Sequence, residues 1–212
     1  MSTVRAQDTE SIYVIGYIEV MPSEKDAGAA LVRQLREASR KEAGNLRAEV
    51  GRRIGQPNEF VALEAWSDQA AYDAHAQAAS TTQLRDKLKA IQSAPYDERP
   101  STALSVGPVT SDSPTGGVIF VVTHIDVVPP RKDEGAALIK QHGDDSRNDS
   151  GAIRFELVTQ ISRPNHFTAI EVWSDRESAD NHAMNAHTRA FRDKLAPMCG
   201  ALYDQRFYEA FD

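Results

Sequence analysis

A single cysteine, Cys199, stands among 212 residues, so no disulfide can form within the chain. No Gly-x-Gly-x-x-Gly run, P-loop, Cys-x-x-Cys or His-Glu-x-x-His motif occurs, so no nucleotide, cofactor or metal has a recognisable cradle. Nor is there a Gly-x-Ser-x-Gly elbow, which leaves nucleophilic hydrolysis without a nucleophile. Basic residues are outnumbered, 24 to 31, and the net charge of -7 disfavours nucleic acid or an anionic membrane surface as partner. The opening MSTVRAQDTE has no apolar core of a leader, and no later run approaches the roughly 18 apolar residues of a membrane span. With 41% apolar and 26% charged residues, the composition is that of a soluble globular protein, and the lone cysteine fits a cytoplasmic setting.

What the chain does have is itself, twice. Shifted by 107 positions it aligns without a gap: PNEFVALEAWSD, Pro57 to Asp68, falls on PNHFTAIEVWSD, Pro164 to Asp175. RDKL at Arg85 meets RDKL at Arg192, and Tyr96-Asp97 meets Tyr203-Asp204. Roughly 37 of about 85 pairs from Ile15 to Arg99 are identical, and a period of this length corresponds to one small domain rather than a solenoid repeat. We expect domains at 11–104 and 118–212 and a linker at 105–117, where SVGPVTSDSPTGG is rich in Gly, Pro and Ser.

Each copy reads as β-α-β-β-α-β. Residues 11–21 form an aromatic and β-branched strand closed by Pro22, and 24–43 carry apolar residues at helical spacing up to Gly44. Strands follow at 46–54 and 59–66 around a GQPN turn. Ser67 and Ser174 are placed to cap the next helix, with Glu177 completing a capping box. That helical stretch breaks near Ala79, and a last strand spans about 99–105. The fold class is therefore α+β: two ferredoxin-like repeats whose bare sheet faces are expected to pack on each other as an intramolecular α/β barrel.

Strand alternation assigns faces. Val61, Leu63 and Ala65 are expected toward the helices, leaving Phe60, Ala62, Glu64 and Trp66 on the bare face with Phe167, Ala169, Glu171 and Trp173. Arg47 and Glu49 fall on that same face, as do Tyr13, Ile15 and Tyr17, with His124 the counterpart of Tyr17. The four pairs from Phe60/Phe167 to Trp66/Trp173 are all identical, which makes this face the expected site.

The strand ending in Glu-x-Trp, the Ser-Asp after it and the helix carrying Ala-His resemble the antibiotic biosynthesis monooxygenase domains of the dimeric α/β-barrel superfamily. Copy two matches with both histidines of that family, His182 and His187; copy one keeps His75 but has Ser80 in the second position. Copy one is similar to the polyketide-tailoring members through Trp66, Tyr72 and Arg85, where copy two has Trp173, Ala179 and Arg192. The resemblance implies oxidation of a small aromatic, polyketide or quinol-like substrate by O2 with no cofactor. The substrate itself supplies the electrons once it has lost a proton, so the site needs a base, donors for the anion and a dry aromatic wall. Histidines 182 and 187, Trp173 and Arg192 are the expected catalytic set. Trp66, Tyr72, His75, Arg85, Glu64, Glu171, Tyr17, His124, Phe60 and Phe167 are the expected substrate contacts. Haem-degrading relatives carry tryptophan where this chain has His75 and His182, so haem is not expected.

Each of these residues also has a structural reading: the tryptophans as core, the helix histidines as satisfied buried groups, the arginines as surface ion pairs. His182 and His187 lie five apart, off one face of a continuous helix, so no metal site is expected. A non-catalytic small-molecule-binding or stress-type barrel is the alternative function. One chain is expected to form a pseudo-dimer by itself, with further pairing of chains through sheet edges open.

Overall fold

The computed structural model describes residues 10–109 and 116–211. The opening stretch and residues 110–115 of the expected linker lie outside the described residues. The chain divides into two compact units. Within the described residues, unit one takes in 10–101, 108–109 and 208–211, and unit two takes in 102–107 and 116–207.

The first repeat runs β1 (Ile12–Glu19), α1 (Lys25–Ser39), β2 (Asn45–Arg53), β3 (Glu59–Trp66), α2 (Gln69–Gln77), α3 (Ala79–Lys89) and β4 (Asp97–Ser105). The second repeats it as β5 (Ile119–Asp126), α4 (Lys132–Ser146), β6 (Ala152–Gln160), β7 (His166–Trp173), α5 (Arg176–Met184), α6 (Ala186–Leu195) and β8 (Asp204–Ala210). The sheet of unit one has the order β4-β1-β3-β2, the ferredoxin-like arrangement, and the end of β8 continues it beside β2 through Gly51 opposite Ala210. In unit two the order is β8-β5-β7-β6, continued by the end of β4. Arg147 anchors that end by donating from Nη2 to the Ser105 carbonyl at 2.8 Å. Among the described residues no helix is long and apolar enough to cross a membrane.

The helices pack on one sheet face, and the residues they cover correct the expected orientation of β3. Ala29, Val32 and Leu35 of α1 and Leu84 and Leu88 of α3 form one core with Val50, Phe60 and Ala62. Phe60, Ala62, Glu64 and Trp66 therefore face the helices. They stand opposite Ile18, Gly16, Val14 and Ile12 across the β1–β3 ladder. Val61, Leu63 and Ala65, expected toward the helices, occupy the other face with Tyr17, Ile15 and Tyr13. The register makes the same correction for Phe167, Glu171 and Trp173, opposite Ile125, Val121 and Ile119. The expected faces of β1 and β2 stand, because Val50 pairs with Ala62 and so points at α1. The set most alike between the copies thus lies between sheet and helices inside each unit.

Local chemistry sets the boundaries. Asp68 and Asp175, not the preceding serines, cap α2 and α5: their carboxylates accept from Ala71 N at 2.8 Å and Ser178 N at 2.7 Å. Ser67 and Ser174 instead donate to those aspartates, each at 3.0 Å. The break between the paired helices is one extended residue, Ala78 (ψ 139°) and Asn185 (ψ 148°). Neither is Gly or Pro, so the bend is imposed by packing.

α1 and α4 each end five residues before a glycine that turns the chain into the next strand. Gly44 and Gly151 both have φ near 81°, and a Cβ there would strike Ala71 or Ser178 on the neighbouring helix. Both the left-handed backbone and the close approach favour glycine. Gly151→Ala is expected to destabilise the chain by about 1–3 kcal/mol in chemical denaturation; an unchanged midpoint would show that the turn relaxes freely.

Candidate functional site

In both units a tryptophan at the end of the third strand lies flat on a helix histidine. Trp66 stacks on His75 with ring centroids 4.5 Å apart, and Trp173 on His182 at 4.7 Å. Both tryptophans are fully buried. The Glu-x-Trp spacing puts a carboxylate on the same face two residues earlier, where it accepts the indole N–H: Trp66 Nε1 to Glu64 at 3.2 Å, Trp173 Nε1 to Glu171 at 2.9 Å. The histidine's outer nitrogen meets an acid from the turn after the first helix, Glu42 at 2.9 Å in unit one and Asp149 at 2.7 Å in unit two. Its inner nitrogen faces the strand carboxylate, 3.6 Å from Glu64 and 3.9 Å from Glu171.

On the helix side of unit two, three rings stand where unit one has aliphatic side chains. His142 stands where unit one has Leu35, Phe155 where it has Ala48, and Phe191 where it has Leu84. The larger set packs as rings, with His142 stacked on Phe191 at 4.0 Å and edge-on to Phe155 at 5.6 Å. Burial, with His182 and His187 nearby, holds the His142 imidazole down at about 3, so it stays neutral. The serines that end α1 and α4 both meet the carbonyl four residues earlier, Ser39 that of Leu35 at 3.0 Å and Ser146 that of His142 at 2.6 Å, and Ser39 Oγ also lies 2.7 Å from the Glu64 carboxylate that accepts from it. Burial pushes the Glu171 carboxyl up to about 7, only partly opposed by the Trp173 N–H and the charge of Arg192. Asp149 behaves oppositely: burial resists its ionisation, but donation from His182 and His187 more than offsets it, so its carboxyl lies below the usual range.

The expected separation of His182 and His187 is corrected by the break at Asn185. Because the chain turns there, both rings reach one carboxylate: His187 Nε2 lies 3.0 Å from Asp149 Oδ2, to which His182 Nδ1 is also bound. Tyr17 and His124 are not brought to this cluster. Tyr17 lies on the opposite sheet face under the Arg99 guanidinium, and His124 Nε2 is 3.0 Å from His166 Nδ1.

Open space lies beside the second of the paired helices, at equivalent places in the two units. A 460 Å³ cleft in unit one is lined by Arg85, Leu88, Pro95 and Tyr96 among others; a 540 Å³ cleft in unit two by Arg192, Leu195, Leu202, Tyr203 and Gln205. Each arginine lies over the tyrosine that immediately precedes the last strand, Arg85 at 5.4 Å from the Tyr96 ring centre and Arg192 at 5.5 Å from Tyr203. These tyrosines escaped the sequence reading, although the repeated Tyr-Asp pair marked them. None of His182, His187, Trp66 and Trp173 lines either cleft.

The two clefts differ in charge. Arg85 is paired to Glu98 at 2.8 Å, and Tyr72 donates to the same carboxylate at 3.3 Å. Burial raises Glu98, and the nearby Arg85 guanidinium pulls it back. In unit two the counterpart of Glu98 is Gln205, a neutral acceptor 3.3 Å from Arg192 Nη2, and Ala179 replaces Tyr72. Burial and Glu171 push the Tyr203 hydroxyl up to about 12, against the pull of Arg192. A second strand position also differs. Gly16 leaves room for Tyr96, whose hydroxyl would lie 2.5 Å from a Cβ at this position, while unit two has Thr123 there.

The family model described as antibiotic biosynthesis monooxygenase matches residues 11–87 and again 118–194, one match per repeat. The chain belongs to the antibiotic biosynthesis monooxygenase family. A relative from Bacillus subtilis (strain 168), described as "Putative monooxygenase YcnE", is 34% identical over 86 residues, covering 41% of this chain and 90% of its own. Two solved structures share the fold. One, from Fusobacterium nucleatum, is titled a putative monooxygenase, with TM-score 0.83, 16% identity, and 96% and 94% of the two chains covered. The other is titled an anthrone oxidase-like protein, with TM-score 0.73, 9% identity, and 97% and 93% covered.

Glu171 gives the site a signature in stability. Below its ordinary value of 4.5 the group is protonated in both folded and unfolded chains; above about 7 it is ionised in both. Between these the folded chain holds the extra proton, so this group's contribution to stability falls as pH rises, by on the order of 3 kcal/mol in all. Glu171→Gln is therefore expected to narrow its stability deficit, or reverse it, between pH 4.5 and 8 in thermal melts. A difference from the parent chain that does not vary with pH would contradict the assignment.

Proposed function

We propose that the chain is a cofactor-independent monooxygenase acting on a small aromatic, polyketide or quinol-like substrate in the unit-two cleft. The observation that supports this most is the setting of Arg192: a half-buried guanidinium beside a largely apolar cleft, facing a neutral glutamine where its twin faces glutamate. Its Nε is buried with no hydrogen-bond partner among the described residues. Such a cation in a low-dielectric wall stabilises a phenolate or enolate and so lowers the acidity barrier of the substrate itself. The anion then reduces O2. One oxygen atom replaces two hydrogens at the reacting carbon as a carbonyl, and the other leaves as water.

In this reading Arg192 binds the anion and Tyr203 lines the wall. Trp173 and His182 act as positioning residues: they hold the helix pair that carries Arg192 and do not touch the substrate. The Arg85–Glu98 pair makes unit one a poor anion site.

Oxygen consumption with a panel of phenols, quinols and anthrone-like ketones tests the proposal. Turnover is expected to survive chelator. Arg192→Gln is expected to lower kcat/KM by on the order of a hundredfold, and Gln205→Glu to act in the same direction by neutralising the arginine. Turnover unaffected by both substitutions would refute the site. Thermal stabilisation by such compounds without oxygen uptake would make the protein a binder instead.

A further inference from the structure

We propose that unit two binds one divalent transition-metal ion of the zinc class between Asp149, His182 and His187. One ligand atom from each residue lies within 4.8 Å of the other two. Two imidazoles and a carboxylate form a donor set that suits zinc and its neighbours and leaves a coordination position for water. Tetrahedral ligands at zinc bond lengths stand roughly 3.3 Å apart. Asp149 is now 2.7 Å from His182 Nδ1 and 3.0 Å from His187 Nε2, so an ion would spread these two contacts slightly while the two nitrogens, within 4.8 Å of each other, draw together.

Three further features point the same way. The ligands come from three places, the turn after α4, the last turn of α5 and the start of α6, so the ion would fasten the broken helix pair to its neighbour. Access is one-sided: the His182 side chain is 3% exposed and that of His187 28%. A 210 Å³ cleft lined by His142, His187 and Phe191 reaches the exposed side, giving an ion its entry path. Behind the site, His182 Nε2 faces the buried Glu171 at 3.9 Å, on the side from which a carboxylate would orient a metal-bound imidazole once drawn into hydrogen-bond reach.

Unit one supplies the comparison. Its equivalents are Glu42, His75 and Ser80, with Leu35 in place of His142. The histidine and acid are kept there, so their stacking and pairing need no metal. The second imidazole and the ring lining the entry cleft occur together only in unit two. The site lies apart from the cleft lined by Arg192, and this inference does not rest on the oxidation reading.

The test uses the full chain, untagged and stripped by chelator, titrated with Co2+ and followed by its visible ligand-field absorption, with Zn2+ as competitor. One equivalent is expected to bind, Zn2+ to displace it, and saturating Zn2+ to raise Tm by roughly 5 °C. His187→Ser installs the residue that unit one carries and is expected to weaken binding by on the order of a hundredfold. Asp149→Asn is expected to act likewise; circular dichroism checks that both variants fold. His124→Tyr, again a unit-one residue, alters the other histidine pair and is expected to leave binding intact. Absence of a stoichiometric site would overturn the proposal. So would cobalt spectra unchanged in both His187→Ser and Asp149→Asn, or binding lost in His124→Tyr. None of these readouts involves substrate or turnover.

Discussion

A buried carboxylate gripped by an indole N–H, beneath a tryptophan that lies on a histidine, is the interaction around which each half of this molecule is built. It joins the central strand of the sheet to the helix pair, and through the histidine's other nitrogen it reaches the turn after the first helix. Four elements are thereby fixed by one network of buried polar groups. Such a network is stable only if its members are satisfied, since an unpaired buried polar atom costs about 1–3 kcal/mol. The strand pattern Glu-x-Trp supplies two members at the spacing that puts them on one face, and the histidine of the following helix, His75 or His182, supplies the third.

Duplication has let the two networks diverge while the frame stays fixed. In unit one a serine hydroxyl completes the coordination of the glutamate, and the arginine of the adjoining cleft is neutralised by Glu98. In unit two the serine keeps the bond to the carbonyl four residues earlier, now that of a histidine in place of leucine. The strand carboxylate is left with fewer donors, and the cleft arginine faces an amide. Three substitutions to larger rings, at 142, 155 and 191, are packed against one another, so they read as one coordinated change. The second half faces its cleft arginine with an amide, while the first holds a self-neutralised arginine–glutamate pair.

Much of this was legible in the chain alone. The repeat, the element order and the family followed from identities at a fixed offset and from the Glu-x-Trp-Ser-Asp segment. The facing of β3 was not legible, for a physical reason: every residue from Phe60 to Trp66 is buried, so FVALEAW has no polar side by which to tell its faces apart. Glutamates lie buried on both faces of the sheet, Glu49 beside Arg47 and Glu64 beside Trp66, so charge gives no guide either. The pairing of His182 with His187 was hidden because the break at Asn185 carries no Gly or Pro, although the equivalent break near Ala79 had been inferred in copy one. Tyr203 and Gln205 were passed over because the cleft forms beside the last strand, at a distance in sequence from the motif that drew attention.

The two halves differ in how their buried polar groups are satisfied, and in unit two that difference can be read at Glu171. Carbon-13 NMR of the side-chain carboxyls, with Glu171 assigned by loss of its signal in the glutamine variant, reads it directly. The structure calls for a titration midpoint near 7. A midpoint in the ordinary carboxylate range near 4.5 would mean that water or an unseen donor reaches the group, and the buried network described for unit two would not hold.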